Sequence, residues 1–389
     1  MLKLGLVGAN GQVGAELCLL LAEHKEIELI PICRNRSGSS FLRWRGIACR
    51  HGRVAVSKDA ERLLSDCDVV VNSSLATGTP AEIRRIEAQI ASNVFRYSKP
   101  QAAIIHFSTQ SVYGDPRAGK RIRWRNPYGR AKLATERRVR MESRRAGKAA
   151  YILRLGHVCG AHQEISHTIR SAIRARSVVL PARNRSSNTV YTAAIIGAIE
   201  QILAGKTPPG TYDLMNAPRW TWREVYEYEA EVCKVPLDAG LIHSSPRSWR
   251  SAMLAPAARL ASAFFAAQPA RDLLAKAFAY LPASLNRRAM AWWYAKRARN
   301  QIAALSIPCE IAEHLSWAEN GRHYFPAETS TAELLRSWSH KSLAPHQGTP
   351  WPDDLPDATL AAPASAPMTS TLVSGETPSK SSRFPHAGS

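Results

Sequence analysis

The sequence predicts an α/β fold built on a doubly wound parallel sheet, and three observations indicate it. The chain opens with an apolar run at 2–7, a glycine turn, and an amphipathic run that ends near His24. Short apolar runs of strand length then alternate with helical patterns as far as residue 233. One of these runs, DVVVN at 68–72, has the composition of a strand buried on both faces. Strands and helices that alternate in this way form parallel sheets joined by right-handed crossovers.

Each element follows from the local pattern of apolar, glycine and proline residues. The helix predicted at 221–233 begins with a capping box, since Thr221 stands three residues before Glu224. Strands are predicted at 2–7, 26–32, 53–57, 67–72, 102–107, 150–155 and 211–215, with a short extended piece at 189–192. Besides the helix that follows the glycine turn, helices are predicted at 58–65, 79–97, 127–147, 164–176, 193–204 and 221–233.

The glycine turn between the first strand and the first helix predicts a dinucleotide-binding site. Its sequence is GANGQVG, at residues 8–14. Gly8 permits the tight turn, Gly11 lets the backbone approach a phosphate, and Gly14 allows the helix to pack closely on the strand. The amides at the start of the helix then receive the negative charge of a pyrophosphate. The candidate cofactor-binding residues of this turn are Gly8, Asn10, Gly11, Gln12, Val13 and Gly14.

The end of the second strand bears on the choice of cofactor. In dinucleotide folds that prefer NAD, an Asp or Glu near this position binds the ribose 2′-hydroxyl. Here the sequence runs Cys33-Arg34-Asn35-Arg36, and its two arginines suit a 2′-phosphate. We therefore expect NADP(H), bound by Arg34 and Arg36, with NAD(H) as the alternative. Three residues that follow the strand at 67–72 are further candidate cofactor neighbours: Ser73, Ser74 and Leu75.

Three residues form a candidate catalytic set. Thr109 follows the apolar run at 102–107, and Lys132 stands four residues after Tyr128 in a predicted helix. Residues four apart share a helix face, so the tyrosine and the lysine point in the same direction. We expect the lysine ammonium to lower the tyrosine pKa from about 10. The threonine hydroxyl would hydrogen-bond the substrate oxygen whose proton moves.

Four motifs together resemble the extended branch of the short-chain dehydrogenase/reductase superfamily, which contains nucleotide-sugar epimerases, dehydratases and reductases. They are GANGQVG at 8–14, FSTQSVYG at 107–114, NPYGRAKLATE at 126–136 and ILRLGHVCG at 152–160. The resemblance covers roughly residues 1–235 and implies a Rossmann-type sheet with a smaller C-terminal substrate-binding portion. GQVGAEL and the short gap from Thr109 to Tyr128 are most similar to dTDP-4-dehydrorhamnose reductases, whereas STQSVYG is more similar to epimerases.

The resemblance also implies which reactions are available. In the 4,6-dehydratases an Asp-Glu pair follows the catalytic threonine, but here the two residues are Gln110 and Ser111. Neither works as a general acid or base, so dehydratase activity is not expected. The family also has a supporting asparagine in the helix at 79–97, a position that spacing assigns to Gln89, with Asn93 one turn later.

The implied substrate is a nucleotide-activated sugar. Arg125 belongs to an arginine-rich segment between the catalytic elements, where guanidinium groups match the oxygens of a diphosphate. His157 occupies a place where many relatives bind substrate with an asparagine, although a purely structural histidine is the alternative. The candidate substrate-binding residues are Ser111, Arg125 and His157.

The expected function is that of an NAD(P)-dependent epimerase working through transient hydride transfer at the sugar C4, with Tyr128 as base and acid. The alternative is an NADPH-dependent reductase of a 4-keto sugar nucleotide. A non-catalytic sensor or scaffold is disfavoured by the complete Thr/Tyr/Lys set. Specific nucleic-acid binding lacks a recognised module. We expect no metal, because the cysteines and histidines do not form metal-ligand clusters. We also expect a homodimer.

The net charge of +21 is concentrated in two segments. Residues 117–148 hold thirteen lysines and arginines against two glutamates, and residues 245–300 hold ten against one aspartate. Such local concentrations indicate anionic partners. Aromatic residues mixed with arginines at 245–300 suggest either a helical subdomain that covers the substrate site or mediates dimers, or weak contact with an anionic membrane surface.

Composition divides the chain into four parts. We expect a Rossmann domain at 1–160, with later segments that return to it near 189–204, and a substrate-binding portion at 161–240. A basic, alanine-rich helical extension is predicted at 241–335 and a disordered tail at 340–389. Seven irregularly spaced cysteines, and no pattern of a signal peptide or membrane span, predict a cytoplasmic protein whose membrane contact would be peripheral.

Overall fold

A parallel sheet of seven strands lies at the centre of the described chain. The computed structural model describes residues 1–35, 38–76, 78–113, 127–176, 178, 186–237 and 322–339. Their strands are β1 (Leu2–Val7), β2 (Ile27–Cys33), β3 (Arg50–His51), β4 (Val69–Asn72), β5 (Ala103–Thr109), β6 (Ala150–Leu155), β7 (His157–Cys159), β8 (Thr189–Tyr191) and β9 (Gly210–Leu214). The sheet has the order β3-β2-β1-β4-β5-β6-β9, and β7 pairs with β8 separately. All of these pairs are parallel.

Helices pack on both faces of this sheet. In the described ranges they are α1 (Gln12–Leu21), α2 (Ser40–Trp44), α3 (Ser57–Leu64), α4 (Pro80–Tyr97), α5 (Pro127–Ala146), α6 (Glu164–Arg174), α7 (Thr192–Leu203), α8 (Trp222–Cys233) and α9 (Thr331–Ser339). One face of the sheet buries an apolar cluster under α1, α7 and α9, and the other buries a cluster under α3, α4 and α5. The predicted α/β, Rossmann-type doubly wound sheet is confirmed.

Two of the long helices begin with the capping chemistry that their sequences carry. The predicted box at α8 is confirmed, since the Thr221 hydroxyl accepts a hydrogen bond from the backbone N–H of Glu224 at 3.3 Å. The Glu224 carboxylate in turn accepts one from the backbone N–H of Thr221 at 2.6 Å. Thr79 and Glu82 form the same box at the start of α4. Each box satisfies two amides that a helix otherwise leaves without partners.

The third strand does not lie where the sequence predicted it. The prediction was 53–57, but β3 is Arg50–His51. The backbone N–H of Arg53 donates to the Asp59 carboxylate at 2.7 Å, and that of Val56 donates to the carbonyl of Arg53 at 2.7 Å. These bonds fold residues 53–56 into a turn that leads into α3. The buried Val54 gave this turn the appearance of a strand.

The segment 322–339 packs against the α/β core. The backbone N–H of Asp213 in β9 donates to the carbonyl of His323 at 2.8 Å, and the backbone N–H of Phe325 donates to the carbonyl of Asp213 at 3.0 Å. Helix α9 then places Leu334 against Gly197 of α7 and buries Trp338 in the core. The end of the predicted extension therefore returns to the sheet.

Other predictions about the C-terminal half lie outside the described residues. They include the helical extension over 241–321, the membrane contact through 245–300, and the disordered tail at 340–389. The four-part division of the chain and the homodimer stay predictions. Among the helices in the described ranges, none has the length and apolar character needed to cross a bilayer.

The strand order reverses between β1 and β4, which are neighbours in the sheet although β2 and β3 lie between them in sequence. At such a reversal the connections that leave the two strands run to opposite faces, and a crevice opens above their carboxyl ends. Gly8 follows β1, Ser73 follows β4, and Thr109 ends β5. The fold therefore brings three of the predicted site segments to one edge of the sheet.

Replacing Trp338 by alanine tests whether α9 belongs to the core. The change deletes an indole that is 7% exposed, so we expect a loss of about 3–5 kcal/mol in the free energy of unfolding. Urea denaturation followed by circular dichroism measures this loss. Ala332→Ser, on the exposed side of the same helix, is the control and should change stability by about 0.5 kcal/mol or less. An unaltered transition in Trp338→Ala would show that α9 does not support the core.

Candidate active site

A cleft of about 600 Å³ lies at the carboxyl edge of the sheet. It brings together predicted residues from the glycine turn, from the end of β2, from the loop after β4, and from the catalytic set. These residues are Gly8, Asn10, Gly11, Gln12, Val13, Gly14, Arg34, Ser73, Ser74, Leu75, Thr109, Tyr128 and Lys132. A single cavity therefore joins the predicted cofactor site to the predicted catalytic site.

The glycine turn fits a pyrophosphate group. Gly8 has φ of +82°, and a Cβ added there would lie 2.8 Å from the backbone of Ser74. A Cβ at Gly14 would overlap the carbonyl oxygen of Gly8. Helix α1 starts after Gly11 with no side-chain cap and no acidic residue in its first turn. The backbone at the start of α1 thus faces the cleft with the partial positive charge of a helix N-terminus.

Arginines lie at the end of the cleft beside β2 and β3. Arg34 and Arg53 both line it, the first directly after β2 and the second two residues after β3. Arg53 was not predicted, because its stretch was taken for a strand. Arg36, the second predicted ligand of a 2′-phosphate, lies outside the described residues.

Tyr128 and Thr109 meet across the cleft. Tyr128 lies in the first turn of α5, and its side chain makes a hydrogen bond with that of Thr109 at the end of β5. Thr109 Oγ1 also accepts from the backbone N–H of Ser111 and donates to its hydroxyl, both at 3.2 Å. Tyr128 keeps 43% of its surface exposed, so its ring borders the open part of the cleft. The two hydroxyls are therefore placed together where a substrate oxygen can reach them.

Lys132 is held by groups that the sequence did not predict. The residue is 4% exposed, and its Nζ donates to the carbonyl oxygen of Ser74 at 3.2 Å. The same Nζ lies 3.4 Å from Oε1 of Glu87, a residue of α4 that is 3% exposed. Lys132 and Glu87 thus form a buried ion pair beside the cleft.

The expected lowering of the Tyr128 pKa is wrong. Burial of the phenol and the negative charge of Glu87 raise the pKa of Tyr128 to about 12, while the hydrogen bond with Thr109 acts in the opposite direction. The prediction considered the charge of Lys132 without a counter-charge. Because Glu87 compensates that charge, the ammonium does not stabilise the phenolate as it would alone.

The predicted supporting amides of α4 do not reach the cleft. Gln89 donates to the side chain of Asn93 at 3.0 Å, and Asn93 donates to the carbonyl oxygen of Val54 at 2.8 Å. Asn93 therefore ties α4 to the turn after β3. The residue of α4 that contacts Lys132 is Glu87, six positions before Asn93.

The three predicted substrate-binding residues have different outcomes. Ser111 is bonded to Thr109 but is not part of the cleft wall. His157 starts β7 between two lining residues, Gly156 and Val158, yet its own ring packs 6.2 Å from the ring of Trp222. Arg125 lies outside the described residues. Their roles stay predictions.

A buried charged network supports the end of β5. The Glu136 carboxylate accepts a hydrogen bond of 2.6 Å from the hydroxyl of Ser108 and two from Arg154, at 2.9 and 2.8 Å. Arg154 also donates to the hydroxyl of Tyr113 at 2.8 Å, which donates to Asp213 at 2.6 Å. Since Ser108 precedes Thr109, this network holds the backbone that presents the candidate catalytic threonine.

Apolar residues that the sequence analysis did not single out complete the cleft. Ile86 and Ile90 come from α4, Phe107 from β5, and Leu155 and Val158 from β6 and β7. Their apolar pattern does not distinguish residues that line a cleft from residues that pack in the core. Glu87 did carry a signal, since it is a carboxylate that stands between Ile86 and Ile90 in the sequence of α4.

The fold and this cleft define a dinucleotide-binding protein of the short-chain dehydrogenase/reductase type. Residues 5–184, a little under half of the chain, match the model of the NAD dependent epimerase/dehydratase family. The predicted extended branch of the superfamily is thereby confirmed. The name of the matched family indicates that the cofactor is a nicotinamide dinucleotide.

Several solved structures are similar to this chain. A UDP-N-acetylglucosamine 4-epimerase from Bacillus cereus is 19% identical, with 60% of this chain and 82% of that chain covered and a TM-score of 0.47. RMD from Pseudomonas aeruginosa, complexed with NADPH, is 18% identical, with 61% and 86% covered and a TM-score of 0.46. A UDP-glucose 4-epimerase from Thermotoga maritima is 17% identical, with 64% and 87% covered and a TM-score of 0.47.

Among curated proteins, an aspartate-semialdehyde dehydrogenase from Aspergillus fumigatus is 35% identical over 108 residues. The match covers 25% of this chain. The chain therefore spans about 30% of the length of that relative.

Replacing Gly14 by alanine tests the glycine turn. The added Cβ would meet the carbonyl oxygen of Gly8, so the turn must shift, and we expect the affinity for NADPH or NADH to fall at least about tenfold. Cofactor fluorescence titration measures the affinity. Gly147→Ala is the matched control, because it introduces strain at φ +63° in open space away from the cleft and should leave the affinity unchanged. Equal affinity in Gly14→Ala would contradict the assignment of the turn.

Proposed function

We propose that this protein is an NAD(P)-dependent epimerase or reductase that acts on a sugar nucleotide through Thr109, Tyr128 and Lys132. The observation that carries the proposal is the single cleft lined by both the glycine turn and this catalytic set. The match of residues 5–184 to the epimerase/dehydratase family model supports the same class of chemistry. The named substrates of the similar 4-epimerases agree with a sugar nucleotide but are properties of those proteins.

The chain's own residues divide the work of the reaction. A bound nicotinamide dinucleotide supplies or accepts the hydride. The Tyr128 hydroxyl exchanges a proton with the reacting oxygen of the substrate, and Thr109 orients that oxygen by a hydrogen bond. Lys132 would bind hydroxyls of the cofactor's ribose, and the glycine turn would hold the pyrophosphate; both line the cleft, which supports these roles.

An epimerase and a reductase make different demands on Tyr128. A C4 epimerase removes a proton from the sugar hydroxyl, lets the keto-sugar turn over, and then returns the proton. A reductase of a 4-keto sugar only donates a proton. The pair Glu87–Lys132 favours the reductase, because it leaves Tyr128 in its protonated form.

Mass spectrometry of the purified protein separates these two reactions. An epimerase regenerates its cofactor in every turnover and is expected to retain it, whereas a reductase must exchange spent cofactor for fresh NADPH. A screen of UDP-, GDP- and dTDP-sugars, with and without added NADPH, then identifies the substrate.

Tyr128→Phe tests the catalytic role. We expect turnover to fall at least about a hundredfold, since the phenylalanine cannot transfer a proton, while cofactor affinity stays within about twofold. Steady-state kinetics and cofactor titration measure the two quantities. Tyr97→Phe, a half-buried tyrosine that does not line the cleft, should be fully active. Wild-type turnover in Tyr128→Phe would remove the mechanism.

Arg34→Asp tests the preference for NADP(H). An aspartate at the end of β2 would accept hydrogen bonds from a ribose and repel a 2′-phosphate, so the ratio of affinities for NADPH and NADH should fall at least about tenfold. Arg96→Asp changes the same charge on the exposed face of α4 and should leave the ratio unchanged. An unchanged ratio in Arg34→Asp would mean that the 2′-phosphate does not bind there.

A further inference from the structure

Glu87 is a buried carboxylate whose contacts all converge on the catalytic helix and the cofactor loop. Its Oε1 lies 3.4 Å from Lys132 Nζ and accepts a hydrogen bond of 3.4 Å from the backbone N–H of Ala76. Its Oε2 accepts one of 2.9 Å from the hydroxyl of Thr135. Since Glu87 and Lys132 are 3% and 4% exposed, water has little access to either charge. Each group therefore depends on the other for compensation of its charge.

Within the part of the chain that the structure describes, the ion pair leaves little net positive charge around Tyr128. The titratable groups of that part which act on the phenol and on Lys132 from the neighbouring elements are Glu87 of α4 and His106 of β5. Burial and the nearby ammonium lower the pKa of His106 to about 3, so its ring is neutral. Thr109, the hydrogen-bond partner of Tyr128, is neutral as well. The ammonium of Lys132 is thus the cation that the described residues bring to this side of the cleft, and Glu87 offsets it.

We propose that Glu87 is a positioning residue that neutralises Lys132 and thereby adapts the site to proton donation, so that the enzyme reduces the carbonyl group of a keto-sugar nucleotide. This inference rests on the proposed function in one respect, namely that Tyr128 exchanges a proton with the substrate. It goes further, because it specifies that the reaction is a reduction and that the substrate carries a carbonyl group.

The reductive step is balanced. Reduction of the carbonyl group takes one hydride, with its electron pair, from the reduced nicotinamide, which leaves the cofactor oxidised. The hydride forms the new C–H bond while the C=O π bond breaks toward oxygen. That oxygen takes the proton of the Tyr128 hydroxyl, and the phenolate recovers a proton from solvent water.

The reverse step requires a different state of the same residue. Oxidation of a sugar hydroxyl begins with removal of its proton by the Tyr128 phenolate. A lysine with an uncompensated charge would supply that phenolate near neutral pH. With Glu87 in place, the phenol is the stable form, so the site is poised for the reductive direction.

Glu87→Gln tests the proposal, because it removes the charge but keeps an oxygen that accepts from Thr135. The ionisation of Tyr128 is followed by ultraviolet absorbance during a pH titration, with Tyr128→Phe as the reference that isolates it from the other tyrosines. We expect the midpoint in Glu87→Gln to fall by about one pH unit or more. An unchanged midpoint would overturn the proposal. Glu142→Gln, which removes another buried carboxylate of an ion pair outside the cleft, should leave the midpoint where it is.

A double variant keeps the test decisive if Glu87→Gln does not fold. Glu87→Gln with Lys132→Met replaces the ion pair by a neutral pair of similar size, which a buried site tolerates. If the pair acts as a neutral unit, Tyr128 ionises within about half a pH unit of the wild type in this double variant. A fall of a full unit or more in the double variant would show that Lys132 is not neutralised by Glu87.

Kinetics give a second readout. In Glu87→Gln, the pH profile of kcat/KM for oxidation of the alcohol should shift to lower pH by about one unit, because one pH unit in the phenol is tenfold in phenolate. The titration needs no substrate, so it is independent of the proposed function. Full activity of Tyr128→Phe would refute the proposed function, whereas an unmoved titration in Glu87→Gln would refute only the role of Glu87.

Discussion

The direct pairing of β1 with β4 is the constraint on which the whole cleft depends. Because these strands are neighbours in the sheet but not in sequence, the backbone of Gly8 comes against that of Ser74 with no room for a side chain. The turn after β1 and the loop after β4 must then separate toward opposite faces. The space between them is the cleft, and β5 on the far side of β4 delivers Thr109 to its edge. One feature of sheet topology therefore joins the proposed cofactor site to the proposed catalytic site.

Helix α5 contributes two of the three side chains of the proposed catalytic set to this cleft. One side of the helix carries Tyr128 and Lys132 into the cleft, and the same side continues with Thr135 and Glu136, which are buried against α4 and β5. The polar groups that hold the helix in place are thus continuous with those of the proposed catalytic set. Its net positive charge lies largely on the opposite, exposed side, where Arg137 and Arg144 belong. Packing of α5 and the geometry of the site are therefore set by the same contacts.

Those parts of the site that rest on local backbone geometry were readable from the sequence. The glycine turn and the Tyr128–Lys132 spacing depend on a few adjacent residues, and both line the cleft as predicted. The strand expected at 53–57 was wrong because a hydrogen bond from the backbone of Arg53 to the side chain of Asp59, six residues later, turns the chain there. Glu87 escaped notice for a different reason, since its partner lies on another helix. A carboxylate in an apolar helix stripe is still a usable sign, because such a group requires a buried counter-charge.

The error in the sign of the Tyr128 pKa shift shows what a motif leaves undetermined. Tyrosine and lysine at four-residue spacing establish that a phenol and an ammonium are neighbours, and that is enough for proton exchange with a substrate. Which form of the phenol prevails depends on every other charge within the same buried volume, and here Glu87 is one of them. The motif therefore determines that Tyr128 and Lys132 are neighbours, while residues outside the motif determine whether the phenol of Tyr128 is protonated. The same reasoning makes α4, which contributes no part of the motif, the element that decides how the motif is used.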